Sequence, residues 1–101
     1  MRVDAGAVTA LRERGTSLLA VGVVGSEGAF AAGDAVEVVG PDAALVGKGI
    51  SAMSAEEVRL VAGLKSEDVR RRVPDAAPQV IHRDEFVLAE PRVGPASMEA
   101  P

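Results

Sequence analysis

The chain has 101 residues, 48% of them hydrophobic, and a formal net charge of −4. This length fits one small domain with a single core, and the apolar fraction excludes an intrinsically disordered chain. The acidic balance argues against a broad nucleic-acid surface, because nonspecific affinity comes mainly from Lys and Arg side chains that neutralise phosphates. With no cysteine in the sequence, disulfides, thiolate metal sites and thiol nucleophiles are excluded.

The longest apolar run extends from Leu18 to Gly25, far short of the ~20 residues that a membrane-spanning helix needs. The first residues carry no signal-peptide pattern. These two observations predict a cytoplasmic domain that does not associate with a membrane.

The first predicted element is a helix followed by a tight glycine turn. Asp4 is placed to cap a helix over residues 5 to 14, which has apolar residues on one face. Gly15 stands where a left-handed C-terminal cap is expected, since glycine adopts a positive φ without a Cβ clash. The next residues predict a strand from Ser17 to Val24. Both of its faces are apolar, which is typical of a strand inside a closed or wrapped sheet.

A hairpin is predicted next. Residues 35 to 39 alternate between apolar and polar side chains, and a Gly-Pro-Asp turn separates them from a second strand over residues 44 to 50. Gly47 and Gly49 predict a bulge or a bend in that second strand, as at a barrel corner.

Two short helices follow the hairpin. Ser54 and Glu57 form a capping box, in which a hydroxyl and a carboxylate satisfy two backbone amides reciprocally. A second helix begins at Ser66, with acidic residues in its first turn and the arginines of residues 70 to 72 in its last. This order of charges complements the helix dipole at both ends.

The end of the chain predicts more β structure and a tail. Residues 79 to 81 and 85 to 89 predict a final strand pair or one bent strand. Residues 91 to 101 are rich in Pro, Gly, Ala and Ser and predict a flexible C-terminal tail after a domain over residues 1 to 90. Together these elements predict a mixed α/β, mainly β fold. We expect a small barrel of about five or six short strands with two or three short helices.

Segments that resemble catalytic motifs lack residues that the chemistry needs. In Gly47-Lys48-Gly49, the lysine is followed by glycine instead of the Ser or Thr that holds magnesium in a phosphate loop. His82-Arg83-Asp84 lacks the asparagine of a kinase catalytic loop. His82 is the only histidine, so we expect a hydrogen-bonded structural residue and no metal site. Ser17 has no evident base partner in the sequence, so we predict no catalytic nucleophile.

Two basic clusters are candidates for contact with RNA phosphates. The first is the run from Arg70 to Arg72, for which the alternative is that it neutralises the end of its own helix. The second consists of Arg12 and Arg14 beside the Gly15 turn. Neither cluster has the interleaved aromatic residues that stack on bases.

Residues 5 to 40 resemble the PUA domain, a family named for pseudouridine synthases and archaeosine transglycosylases. In that family a short helix, a glycine turn, an S-L-L strand and an F-x-x-G-D-x-V segment follow in this order. The matching positions here are Gly15, Ser17 to Leu19, Phe30 and Gly33 to Val36. Residues 46 to 69 and the closing V-I-H-R-D segment are similar to the C-terminal PUA domains of bacterial glutamate 5-kinases.

The resemblance implies a PUA-like pseudobarrel and a non-catalytic domain with a regulatory or assembly role. The parent enzyme it implies phosphorylates L-glutamate with ATP and magnesium in proline biosynthesis, and is expected to be a homo-oligomer. The catalytic and proline-inhibition sites of that enzyme belong to an amino-acid-kinase domain outside this chain, so no catalytic residue, metal ligand or cofactor is predicted here.

In other PUA families the glycine turn and the neighbouring strands contact RNA. With the two basic clusters, this gives the candidate RNA-contacting residues Arg12, Arg14, Gly15, Thr16, Ser17, Arg70, Arg71 and Arg72. A stand-alone RNA-binding module is therefore the main alternative function, and a protein-interaction barrel with another partner is a third.

Overall fold

The computed structural model describes residues 1–74 and 78–89. The first half contains β1 (Arg2–Val3), α1 (Ala5–Thr9) continued by a π-helical segment (Ala10–Arg14), β2 (Leu18–Leu19), a 3-10 turn (Ala20–Gly22), β3 (Val23–Gly25) and β4 (Ala35–Val39). The second half contains β5 (Leu45–Ile50), α2 (Ala55–Val61), α3 (Ser66–Arg72), β6 (Gln79–Ile81), a 3-10 turn (Arg83–Glu85) and β7 (Phe86–Leu88). The predicted mixed, mainly β fold is confirmed, and the predicted tail at residues 91 to 101 lies outside the described residues.

The described strands form one sheet of five strands, in the order β3-β1-β4-β5-β7, and a separate pair of β2 with β6. β1 lies between β3 and β4, antiparallel to the first and parallel to the second. The remaining neighbours are antiparallel. The sequence predicts that the last two strands pair with each other or form one bent strand. Neither arrangement is present for β6 and β7. They belong to different sheets, because the 3-10 turn between them redirects the chain.

The hairpin of β4 and β5 is formed as predicted, with Glu37 opposite Lys48 and Val38 opposite Gly47. Its pairing shifts between Val38 and Val39, which confirms the irregularity that the glycines predict. Gly49 has a second role, because the end of β6 and the start of β7 pack directly against it. A Cβ atom at Gly49 would lie only 2.7 Å from Cγ2 of Ile81.

The predicted single strand from Ser17 to Val24 is wrong. Its two halves, β2 and β3, enter different sheets and are separated by the 3-10 turn. Gly22 makes this turn, because its bare backbone packs against α1, where a Cβ would lie 2.8 Å from Cβ of Ala7. Val21 and Val24 are exposed, so the apolar run is not buried on both faces.

Branched aliphatic side chains fill the core, which the five-stranded sheet, the β2–β6 pair and the helices surround. Each fully buried side chain of this size stabilises the fold by roughly 1.5–3 kcal/mol. The largest buried side chains are Val3, Leu18, Val23, Val38, Val46, Met53, Val58, Val61, Val69, Val80 and Ile81. Among residues 1–74 and 78–89, no helix is long and apolar enough to cross a membrane.

The predicted helix ends are confirmed. The amide of Ser54 donates to Oε1 of Glu57 at 2.9 Å, and the amide of Glu57 donates to Oγ of Ser54 at 3.2 Å, which completes the capping box of α2. α3 begins at Ser66 with Lys65 as its N-cap, without a side-chain cap. α2 is also held by distant residues, because the amide of Ala55 donates to the carbonyl oxygen of Phe30 at 3.0 Å.

Candidate functional site

A groove of about 490 Å³ lies between α1 and the segment that runs from Thr16 to Gly22. We call it the α1 groove. Its floor is largely apolar and includes Ala7, Leu19 and Val21. Asp4 lies at the end where α1 begins, and the polar group at the other end consists of Arg14, Thr16 and Ser17.

The Gly15 turn sets the direction of the chain at the polar end of the groove. Gly15 ends the first helix with φ 60° and ψ 33°, in the left-handed region, as predicted. A Cβ atom at Gly15 would meet nothing within 4 Å, so the glycine is required for its backbone conformation and not for space. The turn carries Thr16 and Ser17 to the groove, directly before β2.

Ser17 joins this turn to a segment that is distant in the sequence. Its Oγ accepts a hydrogen bond from the backbone amide of Arg83 at 3.0 Å. The next residue, Leu18, lies opposite Ile81 in the β2–β6 pair. The two turns are thereby held side by side.

His82 has the structural role that the sequence predicts. Its Nδ1 accepts a hydrogen bond from the amide of Asp84 at 3.2 Å, which caps the 3-10 turn. The Asp84 carboxylate lies 3.6 Å from the same nitrogen. Ser17 and His82 thus reach neighbouring turns, but each has its own backbone partner, and neither is arranged as a nucleophile with its base.

Arg12 and Arg14, predicted to form one basic cluster, lie on different sides of the helix. Arg14 lines the α1 groove, whereas Arg12 lines a second pocket of about 350 Å³ together with Gly40, Pro41 and Asp42. Residues two apart on a helix point in different directions, which explains the separation. The two arginines thus line different pockets, and a contact of either with RNA stays a prediction.

The arginines of α3 form a separate surface. Nη1 of Arg71 lies 3.0 Å from Oδ1 of Asp68, one turn earlier on the same helix. This pair supports the interpretation that the cluster neutralises its own helix. Arg70 and Arg72 are exposed, and α3 packs against α2 and the 3-10 turn at Ala20–Gly22.

Three residues in or beside the groove do not lie where the sequence predicts: Leu19, Val21 and Arg83. The sequence predicts Leu19 and Val21 in a strand that is buried on both faces, but both residues line the groove. Arg83 carries no local signal for its position, because its bond to Ser17 spans 66 residues. Asp4 was recognised only as a helix cap, and its carboxylate does accept a hydrogen bond from the amide of Ala7 at 2.8 Å.

The groove brings together one guanidinium, two hydroxyls, the Asp4 carboxylate and an apolar floor. Within the part of the chain that the structure describes, no three His, Cys, Asp or Glu side chains are grouped to hold a metal ion.

The PUA domain family matches residues 1–73. The chain belongs to the PUA domain family. Its fold is similar to that of a PUA domain from Aeropyrum pernix K1 solved as a tartrate complex, with a TM-score of 0.60 and 28% identity over 81% of this chain and 39% of that one. A conserved PUA domain protein from Thermoplasma acidophilum is similar with a TM-score of 0.54 and 26% identity, over 80% of this chain and 46% of that one.

The curated relatives are glutamate 5-kinases. The Bacillus cereus (strain G9842) enzyme is 45% identical over 87 residues, which cover 86% of this chain and 24% of the enzyme. The Synechocystis enzyme is 45% identical over 89 residues, and the Cutibacterium acnes enzyme is 44% identical over 91 residues, with 24% and 23% of those enzymes covered. This PUA domain is thus homologous to the C-terminal region of glutamate 5-kinases and spans about a quarter of their length.

Proposed function

We propose that this chain is the non-catalytic PUA domain of a glutamate 5-kinase, and that it regulates or helps to assemble an amino-acid-kinase domain of the same polypeptide. The observation that carries the proposal is the 45% identity to glutamate 5-kinases over 86% of the chain. The similarity extends over 87 residues, beyond the 73 that define the PUA match, so it reflects this branch of the family as well as the fold.

In this proposal the parent enzyme phosphorylates L-glutamate with ATP in the cytoplasm, at the start of proline biosynthesis, as a homo-oligomer. ATP and magnesium are held by the kinase domain. In this proposal the PUA domain contributes no reacting group.

A chimera tests the proposal. The segment of the Bacillus cereus enzyme that matches this chain is replaced by the chain, and in a second variant that segment is deleted. We expect the chimera to retain the rate, the proline inhibition and the oligomeric mass of the unmodified enzyme. The deletion variant should change at least one of these properties. A deletion variant identical to the unmodified enzyme in all three would contradict a regulatory or assembly role.

RNA binding is the second candidate function. The observation that favours it is the polar end of the α1 groove, where Arg14, Thr16 and Ser17 lie together beside the left-handed Gly15 turn. Cations and hydroxyls of this kind bind phosphate oxygens. The net charge of −4 limits any such contact to a local patch.

Titration with a structured tRNA at low and at moderate salt tests this candidate. We expect Arg14→Ala to weaken binding by about three- to tenfold, the scale of one charge-assisted contact, and the matched variant Arg12→Ala to have a smaller effect. Variants of Arg70 and Arg72 test the α3 surface in the same way. No binding at either salt concentration excludes the function, and binding that disappears with salt indicates only attraction to the phosphate backbone.

A further inference from the structure

One side of the five-stranded sheet faces outward over the β4–β5 hairpin and β7. The pairing puts Ala35 opposite Ile50, Glu37 opposite Lys48, and Lys48 opposite Val87. All five side chains are exposed, whereas the residues between them, such as Val38, turn toward the core. We call these five positions the outer face.

The outer face is apolar except at its centre. Val87 is 73% exposed, the highest value of any large hydrophobic side chain in the described residues, and Ile50 is 37% exposed. Glu37 and Lys48 supply one charge of each sign between them. A flat surface of this composition is suited to another protein surface and not to a small ligand, which requires a concave site.

The path of the backbone places the beginning of the chain on the same sheet. The amino group of Met1 donates to the carbonyl oxygen of Glu37 at 2.8 Å, and the amide of Val39 donates to the carbonyl oxygen of Met1 at 2.9 Å. Glu37 is itself part of the outer face. A domain joined ahead of Met1 is therefore tethered within a few residues of this surface.

We infer that the outer face is the docking surface for the amino-acid-kinase domain, an inference that rests on the proposed function. Glutamate 5-kinases are about four times longer than the matched segment, which is their C-terminal region, so their kinase part precedes it. A tether raises the effective concentration of the two surfaces, to the millimolar range when the tether is short and flexible. A modest apolar patch is sufficient for contact under that condition, even though it is too small to hold a free partner.

Cysteine labelling tests the docking, since the chain has no cysteine of its own. Val87→Cys places a thiol on the outer face. Leu60→Cys is the matched control, because Leu60 is 53% exposed and lies on α2, away from the sheet. Maleimide labelling of each variant is followed by mass spectrometry of the peptide that carries the thiol, in the isolated chain and in the Bacillus cereus chimera.

We expect the labelling rate at Val87→Cys to fall at least about tenfold from the isolated chain to the chimera, and the rate at Leu60→Cys to stay within about twofold. Equal rates at Val87→Cys in both proteins overturn the inference. Slow labelling at both positions in the chimera also overturns it, because the occlusion is then not specific to the outer face. Slow labelling of Val87→Cys in the isolated chain would assign the face to a second copy instead.

The same samples separate this inference from the proposed function. An active, normally inhibited chimera with a freely labelled Val87→Cys overturns the docking alone. Slow maleimide labelling of Val87→Cys in the chimera supports the docking. If the deletion variant is at the same time unchanged in rate, proline inhibition and oligomeric mass, the regulatory or assembly role is contradicted. Cysteines at the aligned positions of the unmodified Bacillus cereus enzyme repeat the test without relying on the folding of the chimera.

Discussion

The β4–β5 hairpin and the Gly15 turn both depend on glycine, for two different physical reasons. At Gly49 the requirement is space, because a Cβ atom would lie 2.7 Å from Cγ2 of Ile81 and 2.9 Å from the carbonyl oxygen of Glu85. At Gly15 the requirement is a backbone angle, φ 60°, with no atom within 4 Å of the missing Cβ. The hairpin is thus a tightly packed centre of stability, whereas the turn is an open rim beside the α1 groove.

This difference assigns the two regions different tasks. Residues in the hairpin cannot move without disturbing β7 and the core, so its outer face is a rigid platform for another domain. The Gly15 turn lies at the surface, where the Thr16 side chain is exposed and the half-buried Ser17 bonds to the Arg83 amide.

The largest expected effect is that of Gly49→Ala. The added methyl group must displace Ile81 or the backbone at Glu85, so we expect the free energy of unfolding to fall by about 3 kcal/mol in a urea titration. Lys48→Ala is the neighbouring control, since that side chain is exposed, and should change stability by less than about 0.5 kcal/mol. A Gly49→Ala variant as stable as the original chain would show that Ile81 and Glu85 do not pack against Gly49.

Gly15→Val should cost less. A β-branched residue at positive φ is strained although it has room, and we expect a loss of about 1–2 kcal/mol in the free energy of unfolding. Asn tolerates the left-handed region, so Gly15→Asn should lose clearly less than the valine variant. Equal losses for Val and Asn would indicate that space, and not the backbone angle, limits this position.

Ser17→Ala tests the link between the Gly15 turn and the turn at Arg83–Glu85. It removes the acceptor of the Arg83 amide, and we expect a loss of about 1 kcal/mol in the free energy of unfolding. The adjacent Thr16→Ala removes an exposed hydroxyl and should stay within about 0.5 kcal/mol of the original chain. Similar losses for the two variants would argue against a specific bond at Ser17.

The smallest effect concerns the amino group of Met1 on the hairpin. Burial lowers its pKa below the ordinary value of 8.0, and the nearby Glu27 opposes this shift. Below pH 8.0 the unfolded chain therefore binds this proton more tightly than the folded chain, so stability rises with pH up to that value.

Acetylation of the Met1 amino group removes the charge and supplies the comparison. The difference in melting temperature between the acetylated and the free chain should shrink as the pH rises toward 8.0, because the free amine loses its proton in the folded state. A difference that does not change with pH would mean that this amino group is not buried in solution.

Features with local causes could be predicted from the sequence. The capping box at Ser54 and Glu57, the left-handed Gly15 and the charge order of α3 each depend on residues a few positions apart. The alternation of β4 is of the same kind. The V-I-H-R-D segment predicts the glutamate 5-kinase relatives through the identity of its residues. The periodicity of apolar residues alone does not indicate a family.

Features with distant causes could not be predicted in this way. The break between β2 and β3 arises where Gly22 packs on Ala7, and the amide of Ala20 donates to the carbonyl oxygen of Pro78 at 3.1 Å. Gly22 is the local signal in this run, but the residues it packs against are distant in the sequence. Helix geometry is enough to predict that Arg12 and Arg14 point in different directions. The hydrogen bond between Arg83 and Ser17 joins residues 66 positions apart and could not be predicted.

The position of β1 has a mechanical consequence. This two-residue strand is held on one side by β3 and on the other by β4. A force applied through a polypeptide ahead of Met1 and directed along the strand loads the hydrogen bonds on both sides together, in shear, instead of opening them one at a time. The shortest strand of the sheet therefore resists such a pull on both sides at once.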